Sequence, residues 1–296
     1  MRCFNTGIIR LLRPRQYVKN LFIFLPLIFG LKLPILSVGV LTLGGAMGFC
    51  LLASGIYVLN DLYDAPEDRM HPVKKFRPIA SGEVTLNCAG VLSIFLMGIG
   101  LSILFALHAD AGVWGLIYAG MNIAYTVKLK HIPIVDIVVV ALGFVIRLGV
   151  GSVLSAVPLS HWIVLMTFLL ALFLAIAKRR DDVLLALKGT RARKNIDGYN
   201  LEFINAVMVL MAGVTIVAYL MYTLSPEIIA RIGSTHLFYS GIFVVLGIFR
   251  YMQLTFVVQD SGNPTAILLK DRFIQLVLFG WISFFIAVLY FGGGGV

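Results

Sequence analysis

Nine apolar segments, each long enough or nearly long enough to cross a bilayer, lie near residues 17–37, 39–61, 86–107, 111–127, 133–155, 160–178, 201–223, 235–258 and 273–291. A helix rises about 1.5 Å per residue, so about 20 apolar residues cover a hydrocarbon core about 30 Å thick. Within lipid every backbone polar group needs an internal partner, which confines such segments to helices. In 296 residues, 60% of them apolar and 13% charged, little sequence is left for a water-soluble core. The expected fold is an all-α integral membrane protein, a single transmembrane catalytic domain over residues 1–296. The fourth segment is the shortest, and neither a soluble domain nor a convincing repeat is visible. The basic, polar first 20 residues lack the apolar core and small-residue cleavage site of a signal peptide, so none is expected.

The loops give the orientation. With the N-terminal side called inside, the inside stretches hold 20 of the 24 basic residues, and the outside loops only Lys32 and Arg231. Basic residues stay on the cytoplasmic side of a membrane. The N-terminus is therefore expected in the cytoplasm and the C-terminus outside, in an inner or plasma membrane. Four loops, near 62–85, 128–132, 179–200 and 259–272, fall on the cytoplasmic face. The net charge of +10 agrees with this topology, and no nucleic-acid partner is expected. The three cysteines, Cys3, Cys50 and Cys88, have no metal-ligand spacing and read as small apolar residues. The Gly292–Gly295 run reads as a flexible tail.

The first of these loops begins with Asn60-Asp61-Leu62-Tyr63-Asp64-Ala65-Pro66-Glu67-Asp68-Arg69, in a chain with only 14 acidic residues. Asp61, Asp64 and Asp68 stand at i, i+3 and i+7, one face of a helix. Carboxylates so close repel one another unless a cation is held among them, and hard oxygens favour Mg²⁺, which in turn grips phosphate. A solvated charge run is the plainer explanation. The helical spacing of the acids counts against it. So does the adjoining basic stretch, with Arg69, His71, Lys74, Lys75 and Arg77, and the succeeding Pro78-Ile79-Ala80-Ser81-Gly82. Pro66 disfavours the α conformation at Ala65, which predicts either a kink there or a new turn holding Asp68.

A second constellation closes the sixth segment: Lys178, Arg179, Arg180, Asp181 and Asp182, and beyond them Lys188, Arg191, Arg193, Lys194 and Asp197. Such a cluster is ordinarily a topological anchor, but its acid–base mixture also suits a substrate with several phosphates. Arg147 and Arg250 lie inside apolar sequence. A charge at membrane depth costs roughly 2.5–3.5 kcal/mol on insertion scales, so both are candidates for function or for an internal pair, with Asp136 a plausible partner for Arg147.

On these residues the chain resembles the UbiA-type intramembrane prenyltransferase superfamily. Asn60, Asp61, Asp64 and Asp68 match its first motif, N-D-x-x-D-x-x-x-D, and Arg77-Pro78 with Ser81-Gly82 match the stretch beyond that motif. The resemblance implies a UbiA-type bundle of nine transmembrane helices around a cytoplasm-facing active-site cavity, with Mg²⁺ held by Asp61, Asp64 and Asp68. The superfamily's second motif is normally acidic. Here Lys178 and Arg180 stand where acids are expected, which resembles the branch of decaprenyl-phosphate phosphoribosyltransferases. Asp68 to Pro72, Gly143 to Gly151, Phe168 to Arg180, Arg193 to Tyr199, Gly247 to Tyr251 and Asn263 to Arg272 are also similar to that branch.

The resemblance implies transfer of 5-phosphoribosyl from phosphoribosyl diphosphate to a polyprenyl phosphate in the bilayer, as a step in making a pentose-lipid precursor of the cell envelope. Asn60, Asp61, Asp64 and Asp68 would form the catalytic motif. Lys74, Lys75 and Arg77 are candidates for the ribose 5-phosphate. Lys178, Arg179 and Arg180 are candidates for the lipid phosphate, and the two assignments are interchangeable. Arg69, Asp182, Arg147 and Arg250 complete the substrate-binding candidates. Prenyl transfer from a polyprenyl diphosphate is the enzymatic alternative, and transport of an anion or lipid is the alternative from another class. A homo-oligomer is compatible with any of them.

Overall fold

The computed structural model describes residues 6–30, 32, 34–71, 73–187, 198–259 and 264–291. Lys188, Arg191, Arg193, Lys194, Asp197 and the Gly292–Gly295 run lie outside the described residues. The described chain is helical throughout, and seven helices are long and apolar enough to cross a membrane. It forms two compact units, Met1–Leu159 and Ser160–Val296.

The first unit contains α1 (Thr6–Leu12), α2 (Leu25–Phe29), α3 (Leu36–Asp68), α4 (Leu86–Leu107), α5 (Ala109–Val127) and α6 (Val135–Ser155). Its first apolar segment is not the single α-helix that its hydropathy suggests. A 3₁₀ helix over Pro14–Phe24 hands over to the short α2. Pro14 and Pro26 explain the break, because each lacks an N–H and so starts a helix rather than continuing one. The fourth segment is α5, 19 residues long. It is absent from the seven because Asp110, Asn122 and three glycines dilute its apolar character.

Helix α3 is 33 residues long, about 50 Å at 1.5 Å per residue. That exceeds a hydrocarbon core of about 30 Å, so one end of α3 projects beyond it. Phe49, Leu52, Ala53 and Ile56 of α3 are buried against Leu104 of α4, Tyr118 of α5 and Ile146, Val150 and Leu154 of α6. Two glycines permit this closeness. A Cβ on Gly100 would meet Leu52 N at 2.6 Å, and one on Gly151 would meet the Ile23 carbonyl oxygen at 1.9 Å. The second contact seats the 3₁₀ segment on α6. Gly151→Ala should therefore lower the melting temperature in detergent by an amount matching about 1–3 kcal/mol of overpacking. Gly98→Ala, where a Cβ meets open space, should leave it within experimental scatter.

The second unit contains α7 (His161–Leu187), α8 (Leu201–Thr223), α9 (Pro226–Ile232), α10 (Gly241–Gln253), α11 (Pro264–Lys270) and α12 (Arg272–Phe291). Asn200 caps α8 by accepting from Phe203 N at 2.7 Å. A π-helical turn, Leu254–Val258, prolongs α10 and ends at Gln259 in the left-handed region, φ 58°. A buried polar chain crosses this unit: Trp281 Nε1 donates to Tyr219 Oη at 2.8 Å, and Tyr219 Oη lies 2.6 Å from Ser240 Oγ.

Candidate active site

The acidic motif occupies the last turns of α3, which runs through Pro66 to Asp68 without starting a new turn. Pro66 only withholds the N–H that would have met the Leu62 carbonyl. Asp61, Asp64 and Asp68 thus share one helix, and Asp61 and Asp68 are each 3% exposed. The chain then turns back on itself. Ser81 N donates to the Arg77 carbonyl at 2.9 Å and Val84 N to the Pro78 carbonyl at 2.9 Å, while Gly82 supplies the positive φ of 80°. Ile79, 1% exposed, anchors this loop among Leu11, Val58 and Ala65. Arg10 of α1 ties the same loop down by donating to the Phe76 carbonyl at 2.6 Å and to Glu83 at 3.1 Å.

Three cations converge on the acids. Arg77 Nη1 donates to Asp61 Oδ1 at 2.9 Å and to Asp68 Oδ2 at 2.7 Å. Arg13 Nη2 donates to the same Asp61 oxygen at 2.5 Å, and its guanidinium lies 5.3 Å over the Tyr57 ring. Lys130 Nζ pairs with Asp64 Oδ1 and sits 4.8 Å over the Tyr63 ring. Asn60 Nδ2 donates to Asp64 Oδ2 at 3.0 Å, and Thr126 Oγ1 donates to Asn60 Oδ1 at 3.4 Å. Arg13 has φ 52°, a left-handed conformation that costs a non-glycine residue roughly 1–2 kcal/mol. That strain sits on the residue that reaches Asp61.

Arg77 is the only one of these cations that the sequence marks as a substrate contact. Arg13 and Lys130 stood among the topological anchors, and no local signal separates them from other anchors, because they meet the acids across 48 and 66 residues of chain. The remaining candidates of this unit have other surroundings. Arg69 is exposed, and Lys75 Nζ lies 5.2 Å over Phe76. Lys74 lies within electrostatic reach of Asp68. His71 Nδ1 accepts from Val73 N and Lys74 N, which fixes a turn. Arg147 is 3% exposed, and its hydrogen bonds go to Asn20 Oδ1, Tyr118 Oη and the Gly143 carbonyl rather than to Asp136.

In the second unit Lys178 is exposed, while Arg179 and Arg180 are buried. Arg179 donates to Asp182 Oδ2 at 2.7 Å. Arg180 donates to Asn205 Oδ1 at 3.0 Å and to the Thr255 carbonyl at 2.7 Å, and lies 5.0 Å over the Phe256 ring. A cation on a carbonyl in the last turn of a helix is favourable for that helix end, so Arg180 joins α7, α8 and the π-helical turn. Arg250 grips Asp271, with Nη2 2.8 Å from Oδ2. Asp271 also accepts from Ile274 N at 2.9 Å. The hydrogen bond from Arg250 holds the Asp271 carboxyl below the usual carboxylate range.

Carboxylate oxygens on one helix face, with an amide oxygen beside them, are the donor type a Mg²⁺ ion takes. As placed, their charges are matched by Arg13, Arg77 and Lys130. Among the described residues, no three His, Cys, Asp or Glu side chains converge closely enough to hold an ion. The residues fit such an ion by donor type and not by their present spacing, and Arg13, Arg77 and Lys130 are cations an accompanying anion would meet.

An all-helical, multi-pass membrane protein with this acidic helix end is a transferase of a defined class. The chain belongs to the UbiA prenyltransferase family, whose pattern it matches over residues 22–274. It is 33% identical over 296 residues to the decaprenyl-phosphate phosphoribosyltransferase of Mycolicibacterium smegmatis, covering 97% of this chain and 93% of that protein. It is 31% identical to the protein of the same name from Mycobacterium tuberculosis, covering 97% and 95%. Its fold is similar to that of a UbiA homolog from Archaeoglobus fulgidus bound to GPP and Mg²⁺, with TM-score 0.70, 20% identity, and coverage of 96% of this chain and 99% of that one.

Proposed function

We propose that the protein transfers 5-phosphoribosyl from phosphoribosyl diphosphate to a polyprenyl phosphate and releases diphosphate. The observation that carries this reading is the convergence of Arg13, Arg77 and Lys130 on the three carboxylates of α3. Relatives that match this chain over nearly its whole length are named decaprenyl-phosphate phosphoribosyltransferase, which supports this choice of substrates. A Mg²⁺ ion held by Asp61, Asp64 and Asp68 would supply charge neutralisation at the departing diphosphate. Arg13, Arg77 and Lys130, which pair with those carboxylates, would offer N–H groups to the same diphosphate. Asn60 fixes the Asp64 carboxylate, and Thr126 fixes Asn60. The acceptor is already an anion, so no side chain has to remove a proton from it. Catalysis then rests on position and electrostatics.

The reading includes nine membrane crossings, with the N-terminus, the motif and its cavity facing the cytoplasm. Its support is the distribution of basic residues. Arg179 and Arg180 make contacts within the protein, and the exposed Lys178 stays beside them as a candidate for the lipid phosphate. Transport loses its main support, since Arg147 and Arg250 are held by internal partners. Prenyl transfer is tested alongside. Purified protein in nanodiscs should convert labelled phosphoribosyl diphosphate and decaprenyl phosphate into a labelled lipid, and EDTA should stop the reaction until Mg²⁺ is returned. Turnover of a prenyl diphosphate with no labelled phosphoribosyl lipid would replace this reading with the prenyl one.

A further inference from the structure

Thr42 of α3 and Ser155 of α6 are buried, and each donates its hydroxyl to the carbonyl four residues back in its own helix, the local solution for a hydroxyl inside a helix. Ser54 of α3, 0% exposed, does otherwise. Its Oγ donates across to the Leu12 carbonyl at 2.9 Å. That carbonyl can only accept, so the Ser54 proton is committed there, and Tyr17 Oη, 3.0 Å from Ser54 Oγ, donates to it.

The step Leu12-Arg13-Pro14 explains why such a bond is needed. Helix α1 ends at Leu12, and the N–H four residues further on, that of Gln16, donates to the Arg13 carbonyl at 2.8 Å. Pro14 has no N–H to close back on the last turn. The Leu12 carbonyl therefore takes its partner from another helix. Arg13 itself is held at φ 52°, ψ 57°, whereas a residue before proline prefers extended backbone. One stripe of α3 holds it there. Ser54, Tyr57 and Asp61 stand at i, i+3 and i+7 on that helix. Ser54 takes the carbonyl that precedes Arg13, the Tyr57 ring lies 5.3 Å from the guanidinium, and Asp61 accepts from Nη2 at 2.5 Å.

We propose that Ser54 is a positioning residue for Arg13: its hydroxyl fixes the left-handed turn that aims the Arg13 guanidinium at the diphosphate position beside Asp61. Without that bond the backbone at Arg13 relaxes toward the extended form that Pro14 favours. The guanidinium then leaves Asp61, while Arg77 stays on the same oxygen. Ser54 never touches the substrate and acts only through Arg13. This assignment rests on the phosphoribosyl-transfer reading, which supplies the diphosphate that Arg13 meets.

The test is a double-mutant cycle of wild type, Ser54→Ala, Arg13→Met and the pair in nanodiscs. Phosphoribosyl diphosphate and decaprenyl phosphate are varied in turn, and rates are referred to the folded fraction. Arg13→Met should lower kcat/KM for the donor about 10²- to 10³-fold, the effect of one preorganised charged contact. Ser54→Ala should lower it about 5- to 20-fold, as for one buried hydrogen bond, and leave KM for the lipid unchanged. On the Arg13→Met background Ser54→Ala should change the donor's kcat/KM less than about twofold, because the group it positions is gone. A hydroxyl that serves only the packing of α1 on α3 would give the same loss on both backgrounds. That result, a raised KM for the lipid, or wild-type kcat/KM in Ser54→Ala would each overturn the assignment. If Ser54→Ala does not fold, Tyr17→Phe replaces it in the cycle. Its loss should be about 2- to 5-fold and should likewise vanish with Arg13→Met, and a loss that persists would overturn the assignment. Wild-type protein that fails to use phosphoribosyl diphosphate would remove the underlying reading and the assignment with it. Wild-type turnover with an additive cycle would remove the assignment alone.

Discussion

Asp61→Asn should reduce phosphoribosyl transfer about 10²- to 10³-fold, the usual size of losing one preorganised electrostatic contact to the reacting group. Asp61 is the most connected acid of the motif: it accepts from Arg13 at 2.5 Å and from Arg77 at 2.9 Å while 3% exposed. The amide keeps the shape and loses the charge. It turns one of three anionic oxygen donors for a divalent ion into a weaker neutral one, and it leaves Arg13 without its carboxylate while Arg77 keeps only Asp68. A larger requirement for Mg²⁺ should therefore accompany the lower rate, measured as the concentration giving half-maximal turnover. Stability should fall too, by about 1.5–3 kcal/mol for the charged hydrogen bonds weakened. Asp64→Asn separates the two effects. Its carboxylate is more exposed and its partners are Lys130 and Asn60, so its rate loss should come with a smaller drop in melting temperature. Wild-type rates in both variants would place the catalytic site elsewhere.

The acidic motif was legible because it is local: i, i+3 and i+7 on one helix need no tertiary knowledge, and α3 supplies that helix. The membrane class was legible because hydropathy is additive along a segment. What failed was local too. Pro14 and Pro26 lie in the first apolar segment and its lead-in, and they break it into a 3₁₀ helix and a short α-helix. Hydropathy averaged over 20 residues does not see a missing N–H. The cations facing the acids were not legible in full. Arg77 lies close behind the motif in the chain, whereas Arg13 and Lys130 arrive from distant segments and have the same local look as any basic anchor at a membrane exit. Arg147, Arg180 and Arg250 show the converse. Their apolar or clustered sequence settings suggested substrate contacts, but hydrogen bonds to Asn20, Asn205 and Asp271 are made by residues 127, 25 and 21 positions away. Side-chain pairing at that separation is a property of the packed bundle, and the hydrophobic pattern that assembles the bundle carries no record of it.

Arg147→Met should cost about 2–4 kcal/mol of stability, more than most single substitutions. The guanidinium is 3% exposed and lies 5.1 Å from the Phe49 ring, 5.0 Å from Tyr118 and 5.4 Å from Phe144. Methionine fills much of that volume but orphans Asn20 Oδ1 and Tyr118 Oη, at about 1–3 kcal/mol for each buried group left unpaired. One gain offsets part of the loss: a charge no longer has to be kept out of water. The double variant Asn20→Leu with Arg147→Met removes one orphan and should recover part of the single variant's loss, a coupling that a double-mutant cycle measures. Activity should fall only as the folded fraction falls, with KM for donor and lipid unchanged, because rings and amide leave the guanidinium no open face for a substrate. An Arg147→Met protein with the wild-type melting temperature and a raised KM would return Arg147 to the substrate site.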